Sequence, residues 1–191
     1  MPRLLIVIAS TRPGRVGLPV GRWFQAQAAK HGGFEVEVAD LAEMRLPFMD
    51  EPQHPRLHRY THQHTKDWSA RVAAADAFAF VMPEYNYGYT APLKNALDYL
   101  FQEWNHKPVG LVSYGGVAAG NRAQQLLKPV LSALRLVPAG ESVMIPFVAR
   151  HLTEGGDFQP EEAFEATAAA MLDELLRLHA ALAPLRTPAV A

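Results

Sequence analysis

Short runs of apolar residues alternate with amphipathic stretches along the chain, which is the pattern of strands and helices in turn. Residues 4–9 and 77–82 are continuous apolar runs, as expected of strands that are covered on both faces. Residues 108–112 and 143–145 give two more strands. The alternation of apolar and acidic residues over 34–38 indicates a strand at the edge of a sheet.

Helical periodicity fills the stretches between these runs. Helices are predicted from about residue 18 to the glycine pair 32–33, over 65–75, along the apolar stripe 93–104, and over 121–136 and 164–182. Thr65 is a plausible N-cap of the second helix, and Trp104 lies on the apolar stripe as a core residue. Pro129 lies inside its helix and is expected to kink it.

This alternation predicts an α/β fold, a five-stranded parallel sheet with helices on both faces and right-handed crossovers. The strand order 2-1-3-4-5 is expected, because the edge pattern falls on the second strand. The loops after strands one and three then meet at the point where the strand order reverses, which is where such sheets bind ligands. Residues 1–191 are expected to form one domain.

Polar loops follow three of the predicted strands. Since the carboxyl ends of parallel strands share one edge, these loops are expected to converge on one site. They are Ser10-Thr11-Arg12-Pro13-Gly14-Arg15 (the first loop), Pro83-Glu84-Tyr85-Asn86-Tyr87-Gly88 (the second loop) and Ser113-Tyr114-Gly115-Gly116 (the third loop).

The first loop has the composition of a phosphate site. Two hydroxyls, Ser10 and Thr11, precede two guanidinium groups, Arg12 and Arg15, and a helix N-terminus follows. The pattern G-x-G-x-x-G is absent after the first strand, and so is G-x-x-x-x-G-K-[ST], which leaves a phosphate monoester as the expected ligand. The alternative is a solvated loop with incidental arginines.

The second loop offers aromatic faces. Tyr85 and Tyr87 flank Asn86, which can both donate and accept, and Gly88 allows close approach of a planar group. Glu84 is expected to orient the ligand or to brace the loop. The alternative is an ordinary strand-to-helix turn whose tyrosines lie in the core. In the third loop, the glycine pair 115–116 can expose backbone N–H groups to a ligand edge.

Composition removes several classes of function. The formal net charge of -1 gives no basic patch for nucleic acid, and the absence of cysteine excludes disulfides and thiolate chemistry. No apolar stretch is long enough to span a membrane, and residues 4–9 are too short for a signal sequence, so a cytoplasmic protein is expected. The histidines at 54, 58, 62 and 64 are interpreted as surface or interface residues rather than as metal ligands.

Together these motifs resemble the NADPH-dependent FMN reductase family, which includes quinone, azo-dye and chromate reductases of flavodoxin-like fold. The resemblance covers roughly residues 3–147 and depends most on the second loop. Ala9 stands where many members have glycine. The matching segments are Ala9-Ser10-Thr11-Arg12-Pro13-Gly14-Arg15, Pro83-Glu84-Tyr85-Asn86-Tyr87-Gly88, Pro92-Leu93-Lys94-Asn95-Ala96-Leu97-Asp98 and Ser113-Tyr114-Gly115-Gly116.

The resemblance implies a flavodoxin-like three-layer sandwich that binds FMN non-covalently. By this resemblance Ser10, Arg12 and Arg15 hold the phosphate. The ring is framed by residues 83–87, and Ser113, Gly115 and Gly116 line its remaining edge. Thr11, Gly88 and Tyr114 complete the set of candidate cofactor-binding residues. The family also implies a homodimer or homotetramer, with the flavin near a subunit boundary.

The implied reaction passes a hydride from NADPH or NADH through flavin N5 to a small-molecule acceptor, in ping-pong turnover on one open ring face. Quinones, azo compounds, metal oxyanions and free flavin are all candidate acceptors, and no acid–base side chain is assigned. A flavodoxin-type electron carrier and a flavin-binding sensor are the alternatives, although a net charge of -1 lacks the acidic surface of such carriers. A serine hydrolase is disfavoured, because G-x-S-x-G does not occur.

Overall fold

A computed structural model describes residues 1–186 and contains a parallel sheet with helices on both faces. The order β2-β1-β3-β4 is the predicted one, but the fifth position is shared by two short strands. One pairs with Pro108 and Val109 at the start of β4, and the other pairs with residues 112–114 at its end. The strands are β1 Arg3–Ile8, β2 Glu35–Asp40, β3 Ala77–Pro83, β4 Pro108–Tyr114, β5 Val137–Pro138 and β6 Val143–Ile145.

Six α-helices lie in the described part of the chain. Two of them, α1 and α6, pack on one face of the sheet, and α3, α4 and α5 pack on the other. The central strands are therefore buried on both sides, as their continuous apolar runs predict. The helices are α1 Gly17–His31, α2 Leu41–Met44, α3 Gln63–Ala74, α4 Ala91–Asp98, α5 Asn121–Ala133 and α6 Glu162–Leu182.

The side chains of β3 alternate in size between the two faces. Phe78 and Phe80 pack with Trp104 against the α3–α5 layer, with ring centroids 4.9 and 6.2 Å from Trp104. On the other face the alanines of β3 lie under α1 and α6. Gly110 of the neighbouring strand is similarly small, since a Cβ there would lie 2.7 Å from Met171 Sδ. Small residues therefore let α6 sit close to the sheet.

Three predicted helix boundaries are wrong, and one of them is the end of α5, which lies at Ala133 rather than at residue 136. The stripe 93–104 is interrupted after Asp98, and residues 102–104 form a separate 3₁₀ turn, in front of which the N–H of Phe101 donates to the Glu103 carboxylate at 3.3 Å. Thr65 is not an N-cap but lies buried inside α3, which begins at Gln63. The Glu51 carboxylate instead accepts the N–H groups of residues 61 and 62, just before that helix.

The long irregular segment before α3 is fastened to the helix layer by polar side chains. Asn95 bonds the backbone of Pro47 and Met49, and the Tyr99 hydroxyl donates to Pro47 O at 3.0 Å. His64 bonds Asp50 at 2.9 Å, so this histidine serves the same segment. Among residues 1–186, no group of three or more histidine, cysteine, aspartate or glutamate side chains is placed to hold a metal ion. No helix within this range is long and apolar enough to cross a membrane.

Lys107 is a buried cation at the opposite end of the sheet from the three loops. Its ammonium donates to Val72 O and Ala73 O at the end of α3, at 2.8 and 3.0 Å. Burial lowers the pKa of Lys107 to about 8. Between that value and the ordinary 10.5, the unfolded chain binds more protons at this group than the folded chain does.

We therefore expect Lys107 to make the free energy of unfolding rise with pH across this window, by roughly 3 kcal/mol in total. Lys107→Met should remove that rise, while Lys128→Met, at an exposed position of α5, should keep it. Urea unfolding between pH 7 and pH 10 measures the difference. Parallel pH profiles for the wild type and Lys107→Met would contradict this account of the buried ammonium.

Candidate functional site

The three loops converge because hydrogen bonds between neighbouring strands continue past the strand ends. The N–H of Ala9 donates to Val81 O at 2.9 Å, and the N–H of Glu84 donates to Tyr114 O at 3.1 Å. The Thr90 hydroxyl, which caps α4, donates to Ala9 O at 2.9 Å. The start of each loop is therefore tied to its neighbour, as the predicted strand order requires.

The first loop leads into an uncapped helix. Val16 is the N-cap residue of α1, its side chain makes no capping bond, and the first turn contains no acidic residue. Within residues 1–186, the backbone N–H groups of Thr11 and Arg12 have no acceptor, and the Arg12 guanidinium makes no ion pair. Free N–H groups, a helix N-terminus and an exposed guanidinium together form a site for an anion.

The second arginine of the loop is placed differently from the sequence-based expectation. Arg15 makes a two-point ion pair with Asp40 at the end of β2, at 2.5 and 2.6 Å, and also donates to Ser10 O at 2.7 Å. The Arg15 and Asp40 side chains are only 13% and 6% exposed. The hydrogen bond to Asp40 raises the pKa of Arg15, so the guanidinium stays charged. In this structure Arg15 braces the first loop against β2, and its guanidinium is already neutralised.

The second loop is a tight two-residue turn. Tyr85 and Gly88 exchange both backbone hydrogen bonds at 2.9 Å, and the corner residues Asn86 and Tyr87 have φ angles of 48° and 71°. Positive φ at both corners is typical of type I′ hairpins and is uncommon for a tyrosine. Gly88 itself does not adopt positive φ. Tyr85 and Tyr87 are 43% and 64% exposed, so their rings are not core residues.

Arg122, at the start of α5, holds this strained turn in place. It forms an ion pair with Glu84, its backbone N–H donates to the same carboxylate at 3.1 Å, and its guanidinium lies 3.9 Å from the centre of the Tyr87 ring. The Glu84 side chain is only 7% exposed. Of the two roles expected for Glu84, the structure shows the brace.

In the third loop, backbone and side chain play different parts. Ser113 is fully buried, donates to Ala119 O and accepts from Gln124, both at 2.8 Å, so its hydroxyl supports the loop from inside the protein. The N–H of Gly115 continues the sheet by donating to Ile145 O at 3.2 Å. A Cβ at Gly116 would meet nothing within 4 Å, so this residue faces open space.

A cavity of about 140 Å³ lies where the loops meet. It is smaller than the ~300–1,000 Å³ of pockets that enclose a drug-sized ligand, so it can take only part of a nucleotide and opens onto the exposed second loop. It is lined by Arg12, Val16, Pro83, Glu84, Tyr85, Tyr114, Gly115 and Val148. All three loops therefore contribute to one site.

The hydroxyl of Tyr114 does not lie at the third loop, where its position in the sequence predicts it. By sequence it belongs to the third loop, but its hydroxyl lies under the first turn of α1. A Cβ on Gly17 would be 2.6 Å from Tyr114 Oη and 3.0 Å from Ser10 Cβ. Tyr114 is 4% exposed, and its hydroxyl has no hydrogen-bond partner among residues 1–186. The Ser10 hydroxyl lies 3.4 Å from Tyr85 Oη and so joins the first loop to the second.

A second cleft, of about 400 Å³, adjoins the first loop on the side of β2. Its walls are mostly apolar, with Arg45 at positive φ. Phe48 is 84% exposed there. Of the predicted site residues only Thr11 lines this cleft, which is formed by Thr11, Leu41, Ala42, Arg45, Leu46, Pro47, Phe48, Ala91, Pro92 and Asn95.

The sheet order and the edge cavity define a protein of flavodoxin-like fold, and the uncapped helix after β1 gives its edge the character of an anion site. The sequence of residues 2–150 matches the family described as NADPH-dependent FMN reductase. The chain therefore belongs to the NADPH-dependent FMN reductase family, an enzyme family that uses FMN with NAD(P)H as co-substrate.

Individual relatives agree with this membership. The chain is 40% identical over 149 residues to an NAD(P)H-dependent FMN reductase of Schizosaccharomyces pombe, which is 76% of this chain and 74% of that protein. It is 25% identical over 174 residues to an FMN-dependent NADPH-azoreductase of Staphylococcus saprophyticus, covering 90% and 92%. The flavoenzyme FerB of Paracoccus denitrificans has the same fold, with a TM-score of 0.74 at 20% identity over 93% of this chain and 98% of that one.

The residues at the edge fit a flavin mononucleotide. An uncapped helix, an unpaired guanidinium and a buried hydroxyl without a partner suit a phosphate, and the open space at Gly116 and the exposed tyrosines suit a flat ring. Asp40 and Arg122 are the site residues that sequence reasoning missed. An acid at the end of the edge strand, which pairs directly with the strand before the arginine loop, is the one signal that could have found Asp40.

The Arg15–Asp40 pair gives a direct test of how the first loop is held. Arg15→Met should lower the free energy of unfolding by about 3–5 kcal/mol, because it leaves a buried carboxylate without its partner. Arg15→Met/Asp40→Asn removes both charges and retains an amide that can cap α2, so the double variant should lose much less. Urea unfolding of the FMN-free protein measures both. Equal losses in the single and double variants would show that the pair does not brace the loop.

Proposed function

We propose that the carboxyl edge of the sheet binds the whole FMN molecule, with the phosphate at the first loop and the isoalloxazine ring against the second and third. The observation that carries this arrangement is the cavity in which residues of all three loops meet. When bound, the flavin supplies hydride chemistry between the nicotinamide and an acceptor. Every other contribution comes from the chain, which binds, orients and stabilises charge.

The phosphate is assigned to Thr11, Arg12 and the free N–H groups ahead of α1. Arg12 is the guanidinium of this loop that is free to pair with a dianion, because Arg15 is already held by Asp40. Ser10 joins the loops through Tyr85 and shapes the floor of the site. The assignment of Arg15 thus changes from a phosphate ligand to a residue that positions the loop.

The ring is assigned to the second loop and to the glycines of the third. Residues 83–87 frame one side, and the backbone around Gly115 and Gly116 lines the other. Among residues 1–186 the N–H of Gly116 has no acceptor, so it can donate to a carbonyl or to negative charge on a reduced ring. Arg122 positions Tyr87 through Glu84 and the ring contact, and needs no contact of its own with the flavin.

The openness of this site supports the proposed order of events. The rings of the second loop lie at the surface, so nicotinamide and acceptor can use the same face in turn, which is ping-pong turnover. Quinones, azo compounds, metal oxyanions and free flavin remain the candidate acceptors. The azoreductase relative supports an azo compound as one of them.

A flavodoxin-type carrier or a flavin sensor is the alternative function. Cytoplasmic location remains a prediction from the sequence.

Self-association is also proposed, as a homodimer or homotetramer with no nucleic-acid or membrane partner. Large apolar side chains lie exposed in the neighbouring cleft and directly after the third loop, namely Phe48 and Val117. Surface patches of this kind are typical of protein interfaces.

Arg12→Ala should weaken FMN binding about 10- to 100-fold, the range of one charge-assisted hydrogen bond at about 1.5–3 kcal/mol. Riboflavin, which lacks the phosphate, should bind the variant and the wild type equally. Flavin fluorescence titration of the FMN-free protein measures both ligands. Arg22→Ala, on the exposed face of α1, is the matched control and should change neither affinity. An unchanged FMN affinity in Arg12→Ala would remove Arg12 from the phosphate site.

The FMN-loaded protein should oxidise NADPH or NADH steadily when a quinone or an azo dye is added, without any other reductase. Ping-pong turnover predicts parallel double-reciprocal plots when both substrates are varied. Anaerobic mixing with each nucleotide, followed by a panel of acceptors, measures these rates. Tight flavin binding without reduction by either nucleotide would favour the carrier or sensor instead.

A further inference from the structure

The hydroxyl of Tyr114 is a buried polar group without a partner. The residue is 4% exposed, and no donor or acceptor within residues 1–186 meets hydrogen-bond geometry at Tyr114 Oη, although the Ser10 hydroxyl lies near enough to lower the pKa of Tyr114. Buried hydroxyls in proteins are nearly always hydrogen-bonded, and leaving one unpaired destabilises the fold. A hydroxyl of this kind in the wall of a binding cavity indicates a ligand atom as its missing partner.

The position of this hydroxyl indicates which part of the ligand it meets. It lies against the first residue of α1, since a Cβ on Gly17 would come within 2.6 Å of it. The cavity that Tyr114 lines is also lined by Arg12 and Val16, the free guanidinium and the N-cap residue. The hydroxyl therefore lies beside the first turn of α1, on the anion side of the site, although its backbone belongs to the loop assigned to the ring.

The chemistry of the group agrees with this position. Burial raises the pKa of Tyr114 above its ordinary value, so the phenol keeps its proton at neutral pH. The neutral phenol has a proton to donate, and the Glu84 carboxylate that lines the same cavity is already paired with Arg122. A phosphate monoester offers oxygen acceptors to a phenol, a guanidinium and backbone N–H groups at once.

We propose that Tyr114 Oη donates a hydrogen bond to the phosphate of bound FMN and so selects phosphorylated over unphosphorylated flavin. The proposal rests on the proposed function, because it takes the FMN phosphate as the anion at the first loop. Tyr114 is a cofactor-positioning residue and moves no proton in the reaction. Its side chain links the third loop to the phosphate, while the backbone of the same loop contacts the isoalloxazine ring.

This assignment predicts that Tyr114→Phe preserves or raises the thermal stability of the flavin-free protein but weakens FMN binding. The flavin-free variant should melt at the same or a higher temperature than the wild type, because an unpaired buried hydroxyl is removed without changing the ring. Its affinity for FMN should fall about tenfold, and its affinity for riboflavin should stay the same. A hydroxyl with a merely structural role would lower the melting temperature and leave the ratio of the two affinities unchanged.

Tyr99→Phe is the matched control. Tyr99 is also buried, but its hydroxyl has partners, including Pro47 O at 3.0 Å. This variant should melt at a lower temperature and keep the wild-type ratio of FMN to riboflavin affinity. As an independent probe, inorganic phosphate should raise the melting temperature of the flavin-free wild type more than that of Tyr114→Phe.

The experiment is a fluorescence titration of both flavins into the flavin-free proteins, with thermal melts in the presence and absence of inorganic phosphate. A selective loss of FMN affinity in Tyr114→Phe supports the proposal. Equal FMN affinity in the variant and the wild type overturns it, and so does an equal loss for both flavins. A wild type that binds riboflavin and FMN equally, or neither, contradicts the phosphate site itself, which separates failure of the proposed function from failure of the Tyr114 assignment.

Discussion

The site depends on strand pairing that continues beyond the last residue of each strand. The bonds from Ala9 to Val81, from Glu84 to Tyr114 and from Gly115 to Ile145 join the start of each loop to its neighbour. Because these are backbone bonds, they fix the spacing of the loops whatever their side chains are. Loops that are distant in sequence thereby become the walls of one cavity, and the chemistry of each can be specialised without moving the others.

Internal ion pairs then decide which charges remain for a ligand. Asp40 neutralises Arg15, and Glu84 neutralises Arg122, so each pair stiffens a loop and withdraws a guanidinium from the site. Among the described residues of the first loop, Arg12 keeps an unpaired guanidinium. In the proposed site, a phosphate monoester is therefore recognised by few charges together with oriented N–H groups.

The sheet order could be predicted, because the apolar runs and the alternating edge pattern indicate which strands are buried and which lies at the edge. The meeting of the loops could also be predicted, because the carboxyl ends of parallel strands lie at the same edge of the sheet. The interruption of the helix after Asp98 could not, since the apolar stripe continues through Trp104 while the Phe101 N–H bonds the Glu103 side chain instead of a backbone carbonyl. The roles of Arg15 and Tyr114 also needed the structure. A guanidinium binds a phosphate or a carboxylate equally well, so the role of Arg15 depends on where Asp40 lies. The direction of the Tyr114 side chain is not encoded by the residues next to it in the sequence.

The central claim is that one ligand contacts all three loops at once, with its phosphate at the first. Hydrogen exchange of the backbone amides with and without FMN tests it most directly. The account predicts slower exchange in residues 10–17, 83–90 and 113–120 together, with riboflavin reproducing the effect in the last two segments but much less in the first. Protection that appears elsewhere, or in only one of the three segments, would contradict it.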